Sequence, residues 1–282
     1  MPAGVPLLLV DGHNLLWRAA FGFPAAIRSR DKTRDLTAEF GFFALLRAAI
    51  RDEFPHPPEV MVAFDGQHGV AQRQNHAAGY KANRTLDQAA LRPLRAIPHV
   101  QQGLDHYGVG WIEIDTAEAD DVIATLVARC DPRRRVWIMS GDRDFYQLVT
   151  ERVRVLNTVM HNGRRHIGPA EVIDRYRVTP AQWPDFCALK GDPTDNIPGI
   201  RGIGERTAAT LLAGGLHLEQ VPTSTRLTGA KQTAVTESWQ QVLAWRELIR
   251  MRCDLPLPRH PTGHPAQQLP PPAQVIEQLG LW

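Results

Sequence analysis

The sequence predicts an α/β protein: a mostly parallel sheet flanked by helices, followed by a helical subdomain. Three observations carry that prediction. Short apolar runs recur at residues 5–10, 60–64, 111–114, 136–139 and 153–156. Stretches with apolar residues at helical spacing lie between them. From about residue 168 the runs stop, and short helical stretches with turn residues take over. Short continuous apolar runs suit strands buried on both faces, and helices between strands join parallel neighbours.

Taken in order, residues 5–10 form a first strand that ends at Asp11-Gly12, and 36–54 form a helix. Residues 60–64 form a second strand, which also ends on an acid, Asp65. The polar stretch 66–86, rich in Gln, His, Asn and Arg, reads as a long loop, and loops of that length in compact domains are usually functional or disordered. Residues 111–114 give a third strand, followed by a helix over 118–130. A fourth strand at 136–139 leads into Asp142 and a short helix through Leu148, and a fifth follows at 153–156. The expected plan is a sheet-bearing core over 1–167, a helical subdomain over 168–255, and a Pro-rich segment over 256–282. That last segment, with Leu269-Pro-Pro-Pro272, is expected to lie extended on the surface, with a final helix near 273–279.

Of the 282 residues, 43% are hydrophobic and 22% charged, which is globular composition and excludes a disordered chain. The three cysteines, Cys130, Cys187 and Cys253, are far apart and form no C-x-x-C pair, so neither a disulfide framework nor a zinc knuckle is indicated. The first apolar run is too short for a membrane span and lacks signal-peptide architecture, so a soluble cytoplasmic protein is expected.

Acids stand at or just after the strand ends again and again: Asp11, Asp65, Glu118 with Asp120 and Asp121, and Asp142 with Asp144. Asp192 and Asp195 follow in Lys190-Gly-Asp-Pro-Thr-Asp-Asn-Ile-Pro198. Any one of these taken alone reads as a turn or helix-capping residue. Together they differ, because the carboxyl ends of parallel strands open on one crevice and would deliver the acids to one place. Clustered carboxylates repel one another and need Arg, Lys or divalent cations beside them. Carboxylates and water suit Mg²⁺ or Mn²⁺, and two such ions can activate water for phosphodiester cleavage. The net charge is only +2, yet with these nine acids set apart the remaining 21 face 32 basic residues. An acidic pocket on a basic body suits a polyanion such as nucleic acid.

Residues 199–212 place Gly199, Gly202 and Gly204 ahead of a helix with Ala208, Leu211 and Leu212. This Gly-x-Gly does not follow a strand, so the dinucleotide-binding reading fails on context. A hairpin whose backbone N–H groups face duplex phosphates fits better, with a purely structural turn as the alternative. In the long loop, Lys81 and Arg84 are spaced to share a helix face and stabilise a phosphate, or simply to be solvated. Tyr80 is placed to stack on a base, and Arg18 and Arg73 are further nucleic-acid candidates.

At this point the sequence resembles the bacterial 5′-nuclease family: the 5′→3′ exonuclease domain of DNA polymerase I and its stand-alone flap endonuclease relatives. The residues that carry the likeness are Leu8-Leu-Val-Asp-Gly-His13, Val62-Ala-Phe-Asp65, Gly79-Tyr-Lys-Ala-Asn-Arg84, Glu118-Ala-Asp-Asp-Val122, Gly141-Asp-Arg-Asp-Phe-Tyr-Gln-Leu148 and the run from Lys190 to Glu205, in the family's order. The resemblance implies a PIN-like nuclease core with a helical arch over about 66–98. It also implies a helix-two-turn-helix (helix-hairpin-helix-like) element over about 186–214. The implied substrates are 5′-flap, branched or 5′-ended DNA, with RNA in RNA–DNA hybrids as a further one.

By matched motif, Asp11, Asp65, Glu118 and Asp120 would hold a first Mg²⁺ or Mn²⁺, with Asp121 beside them. Asp142, Asp144, Asp192 and Asp195 would serve a second. Asp11, Asp120, Asp142, Lys81 and Arg84 are the implied catalytic residues. Gly199, Ile200, Arg201, Gly202, Ile203, Gly204, Arg206 and Thr207 match the segment that grips the duplex, with K⁺ bound there in some relatives. His13 is read as a supporting residue, because the carboxylates suffice as ligands.

The sequence departs from the family in two places. No polymerase region follows, so a free-standing enzyme is expected, and residues 67–75 carry fewer basic residues than the arch of the family. The expectation is a monomeric, nucleoid-associated 5′-nuclease of replication or repair. Its rivals are a PIN-type ribonuclease and a catalytically silent DNA-binding module.

Overall fold

The computed structural model describes residues 4–77, 79–83 and 91–282. Six strands form one sheet: β1 (Leu7–Asp11), β2 (Glu59–Asp65), β3 (Gly110–Ile114), β4 (Val136–Met139), β5 (Val153–Leu156) and β6 (His166–Ile167). Their spatial order is β3-β2-β1-β4-β5-β6. The first five are parallel, and only β6 runs antiparallel, against β5. The parallel arrangement follows from the apolar runs: Leu7, Leu8, Leu9 and Val10 are all fully buried, because both faces of the sheet are covered.

On one face, Leu8 and Val10 pack with α1 (Gly12–Gly22) and α2 (Thr37–Glu53). On the other, Leu7 and Leu9 share a core with α5 (Ala119–Arg129) and with the later helices. The sequence patterns miss α1, the short α3 (Ala71–His76) inside the expected loop and the two-residue β6, while α4 (Ile97–His106) leads into β3. Helix α1 starts directly from β1, so no turn composition separates them; Asp11 caps it by accepting the Asn14 N–H at 3.0 Å.

The helical part comprises α6 (Pro169–Tyr176), α7 (Trp183–Lys190), α8 (Glu205–Leu212), α9 (Gly229–Glu237) and α10 (Trp239–Ile249). It is continuous with the core of the sheet. Trp183 packs on Tyr146 and Tyr176, each at 4.9 Å between ring centroids. That contact seats α7 against the 3-10 turn Asp144–Leu148 and so fixes where the acids after β4 meet those after α7.

The Pro-rich tail does more than lie on the surface. Ala266 donates its N–H to the Pro58 carbonyl at 2.8 Å, and Arg47 Nε reaches the Leu269 carbonyl at 3.0 Å. Leu269 and Val275 of α11 (Pro272–Gln278) are buried in the α1/α2 core, and Ile276 and Leu281 close over Leu36. The apolar residues spaced through the tail drive that burial. Among the described residues no helix is long and apolar enough to cross a membrane.

Candidate active site

The strand order reverses at β1, whose neighbours β2 and β4 lead away in opposite directions. In such sheets the crevice beyond the carboxyl ends of the strands at the reversal is the place for a site. The sequence puts Asp11 at the end of β1 and Ser140-Gly141-Asp142 immediately after β4. Both Asp11 carboxylate oxygens are held, one by the Asn14 N–H and the other by Ser140 Oγ at 2.8 Å. Burial, with help from the charges of Asp65 and Asp142, pushes the Asp11 pKa up to about 7.

Asp65, at the end of β2, accepts the Ala119 N–H at 2.7 Å and so fixes the start of α5. That start carries Glu118, Asp120 and Asp121. Gly66 is required behind it: an added Cβ would stand 2.0 Å from the Ile114 carbonyl oxygen. His13 is a brace, as expected. Its Nδ1 accepts the Asp65 N–H at 3.1 Å, which assigns its proton to Nε2.

Among the described residues Asp120 has no hydrogen-bond or ion-pair partner. Burial, and then the charge of Asp142, pushes its pKa well above the usual carboxylate range; Lys81 opposes the shift and Asp11 and Glu118 add to it. Asp142 accepts the Asp144 N–H at 2.9 Å. Asp144 is likewise pushed well up by burial and by Asp142, Asp195 and Asp192. One ligand atom from each of Asp144, Cys187 and Asp192 lies within 4.8 Å of the others.

The remaining acids are already neutralised. Glu118 is bonded by both Lys81 and Arg73. Burial alone would raise its pKa, yet those two cations hold it below the ordinary value. Asp121 takes Arg73 at 2.7 Å through one oxygen and Arg252 Nε at 2.9 Å through the other. Asp195 lies 3.9 Å from Lys81 Nζ and accepts the Tyr80 hydroxyl at 3.3 Å.

Several expectations are corrected here. Tyr80 is 4% exposed and is not presented to a base, because its hydroxyl is drawn inward to Glu118 and Asp195. Arg73 serves as an internal counter-ion instead of an outward DNA contact. Asp121 is an architectural acid whose two oxygens are taken by arginines. Lys81 sits in a turn with φ 52°, not on a helix, and only 8% of it is exposed. Arg84 lies outside the described residues. Arg18 is tied down by Thr158, through the hydroxyl and through the carbonyl at 3.1 Å.

The hairpin runs from α7 to α8. Gly199 has φ 66°, and a Cβ there would stand 2.3 Å from the Gly191 nitrogen, so only glycine lets the two passes of chain touch. Ile200 and Ile203 are buried anchors, and Ile200 donates its N–H to the Leu189 carbonyl at 2.9 Å. Their side chains face the core, which leaves Arg201, Gly202, Gly204 and Arg206 on the exposed surface, with Thr207 half-buried.

Sequence reasoning missed Ser140, Asn14 and Arg252. Ser140 bonds Asp11 and accepts the Asp142 N–H at 3.0 Å, while Asn14 Oδ1 accepts the Gly141 N–H at 3.0 Å. The available signal was adjacency: a hydroxyl one residue before Gly-Asp-x-Asp, at the end of the central strand. Arg252 gives no local signal, because it reaches Asp121 from 131 residues away. The set as a whole fits divalent cations. Its candidate ligands are carboxylates, with the Cys187 thiol beside Asp144 and Asp192, and burial and mutual repulsion disfavour the charge of Asp11, Asp120 and Asp144, a cost that a bound cation would relieve.

The chain is similar to known proteins along both its sheet-bearing and its helical parts. Residues 6–177 match the 5′-3′ exonuclease N-terminal resolvase-like domain, and residues 178–270 match the 5′-3′ exonuclease C-terminal SAM fold. A 5′-3′ exonuclease of Streptomyces coelicolor is 32% identical, over 96% of this chain and 94% of its own. The thermostable DNA polymerase I of Thermus thermophilus is 34% identical over 89% of this chain, which spans only 29% of that polymerase. In fold, the chain is similar to T5 5′-exonuclease with bound zinc (TM-score 0.67, 21% identity, 86% of this chain and 89% of that one). It is also similar to the catalytic core of Rad2 in complex with DNA (TM-score 0.57, 15% identity, 99% and 88%). With both parts of the chain matched in order, and a relative at 32% identity covered over 94% of its length, the chain belongs to the 5′-3′ exonuclease family.

Proposed function

We propose that the chain is a divalent-metal-dependent, structure-specific 5′-nuclease that removes nucleotides from DNA 5′ ends and cuts 5′ flaps in replication and repair. The observation that carries this reading is the gathering of Asp11, Asp65, Asp120, Asp142 and Asp144 at the sheet reversal, with Asp120 unpaired among the described residues. Asp11, Asp65, Glu118 and Asp120 are assigned to one Mg²⁺ or Mn²⁺, and Asp142, Asp144, Asp192 and Asp195 to a second. When bound, such ions supply an activated water and stabilise the leaving oxygen, giving a 5′-phosphate and a 3′-hydroxyl.

The chain's own contribution is positioning. Ser140 and Asn14 hold both oxygens of Asp11, so its orientation is fixed before substrate arrives. Lys81 holds positive charge beside Glu118, where exchange of that carboxylate for a scissile phosphate brings the ammonium onto the substrate. Arg84 is assigned the same task. The exposed glycines of the hairpin, with Arg201 and Arg206, present N–H groups and charge to the duplex backbone, and K⁺ on hairpin carbonyls belongs to the same reading. Action on RNA–DNA hybrids, a monomeric state and a place at the nucleoid complete the proposal.

The test is cleavage of a 5′-end-labelled flap DNA with Mg²⁺ or Mn²⁺, beside EDTA and Asp142→Ala controls. A discrete labelled flap, lost in both controls, is expected. Mononucleotides alone would make the enzyme chiefly an exonuclease. Tight binding without cleavage would overturn the proposal, and so would preference for single-stranded RNA of equal length.

A further inference from the structure

A cavity of about 260 Å³ opens around the starts of β4 and β5, away from the strand ends that carry the acids. Its lining is Arg135, Trp137, Glu151, Arg152, Arg154 and His166. Trp137 and Arg154 are register partners in adjacent strands, so their side chains leave the same face of the sheet. His166 joins them there through its pairing with Leu156, two residues beyond Arg154.

Two features of this lining point to a ligand. The first is unsatisfied donors. Trp137 Nε1 and Arg152 NH1 are both buried and have no hydrogen-bond partner. Arg152 is held in place from the far side, where its other terminal nitrogen donates to the Val127 carbonyl at 3.0 Å. Buried donors without acceptors are rare in native proteins, and both of these belong to side chains of the lining.

The second is uncompensated charge. Among the described residues, the side chains of Arg135 and Arg154 have no hydrogen-bond or ion-pair partner, and Glu151 is the single acid of the lining. The nearby Glu53 is already taken by Arg165 at 2.7 Å and His166 at 2.8 Å. Water in the cavity would not offset the charge. Guanidinium forks match the oxygens of a phosphate, and a concave wall of one sign focuses its field on an anion.

We propose that this cavity binds a small phosphate-bearing anion, either inorganic phosphate or a nucleoside 5′-monophosphate. The concave shape favours a small molecule over a duplex, whose convex backbone cannot enter it. This site is separate from the carboxylates and does not depend on the nuclease reading.

The experiment is calorimetric titration of the whole protein in EDTA, so that no metal-held phosphate contributes. The probes are inorganic phosphate, dAMP, deoxyadenosine and a short DNA duplex. The proteins are wild type, Arg154→Gln and the more exposed Arg135→Gln. Saturable binding of phosphate or dAMP, none of deoxyadenosine, and weakening of about tenfold or more in each variant are expected. Tighter binding of dAMP than of phosphate identifies the mononucleotide; equal binding identifies inorganic phosphate. Both variants should keep wild-type flap cleavage and melting temperature. The proposal is overturned if neither anion binds, or if both bind equally well to the variants. It is also overturned if the variants lose affinity for the duplex but not for the anions, which would make the surface a DNA contact.

Discussion

Glu118 and Asp120 stand two residues apart at the start of α5, and their surroundings are opposite. Glu118 is gripped by Arg73 and Lys81 and held well ionised, whereas Asp120 has no partner among the described residues and is pushed toward its neutral form. The same contrast separates Asp121, with an arginine on each side, from Asp144, with other aspartates about it. The fold can neutralise a buried acid when architecture requires it. It leaves Asp120 and Asp144 beside other acids, whose repulsion outweighs the opposing charge of Lys81, and these two gain most from a divalent ion. On the proposed reading Asp121 serves the fold, Asp120 and Asp144 serve the metal, and Glu118, held by Lys81 and Arg73, is shared between the two.

Substitutions that exchange the two roles test this division. Asp120→Asn is expected to lower flap cleavage by roughly 10²–10³-fold. It should also stabilise the metal-free protein by about 1 kcal/mol, because one repelling charge is gone. A loss of stability in a denaturant titration would show that Asp120 is an architectural acid after all. Arg73→Ala should do the reverse, with its main effect on folding. Removing one partner of a buried ion pair costs about 3–5 kcal/mol, which a shift of the urea midpoint would register. An unchanged midpoint would mean that Arg73 is dispensable to the fold and free for substrate. Ser140→Ala should have the smallest effect, lowering apparent metal affinity about 10–100-fold with the fold intact, as measured by titrating Mn²⁺ against activity and against direct binding. If only stability moves, the hydroxyl supports packing and does not orient Asp11.

The sheet was legible because β1, β2, β4 and β5 are buried on both faces, and an apolar run announces that without any partner being known. The acids were legible for a related reason: Asp11 and Asp65 end their strands, and Asp142 stands three residues past β4. The cations that neutralise them were not, because Arg73 meets Glu118 across 45 residues and Arg252 meets Asp121 across 131. Local sequence holds no trace of such pairings. Tyr80 shows the same gap, since an aromatic beside Lys81 in a polar stretch reads as exposed until Glu118 and Asp195 are seen to enclose it. β6 is too short for any pattern to mark it.

The tail sets the order in which the molecule can be completed. Glu59, at the start of β2, accepts the Gly263 N–H from 204 residues downstream; Arg47 reaches Leu269 across 222 residues, and Arg34 reaches Leu281 across 247. Contacts between such distant positions form late and slow folding, most of all in a chain that emerges from the ribosome from its N-terminus. The half of the protein that bears Asp11 and Asp65 therefore stays open along α2 until the last described residues return to cover it. A nascent chain carries the acids of the site long before it carries the means to seal the core beside them.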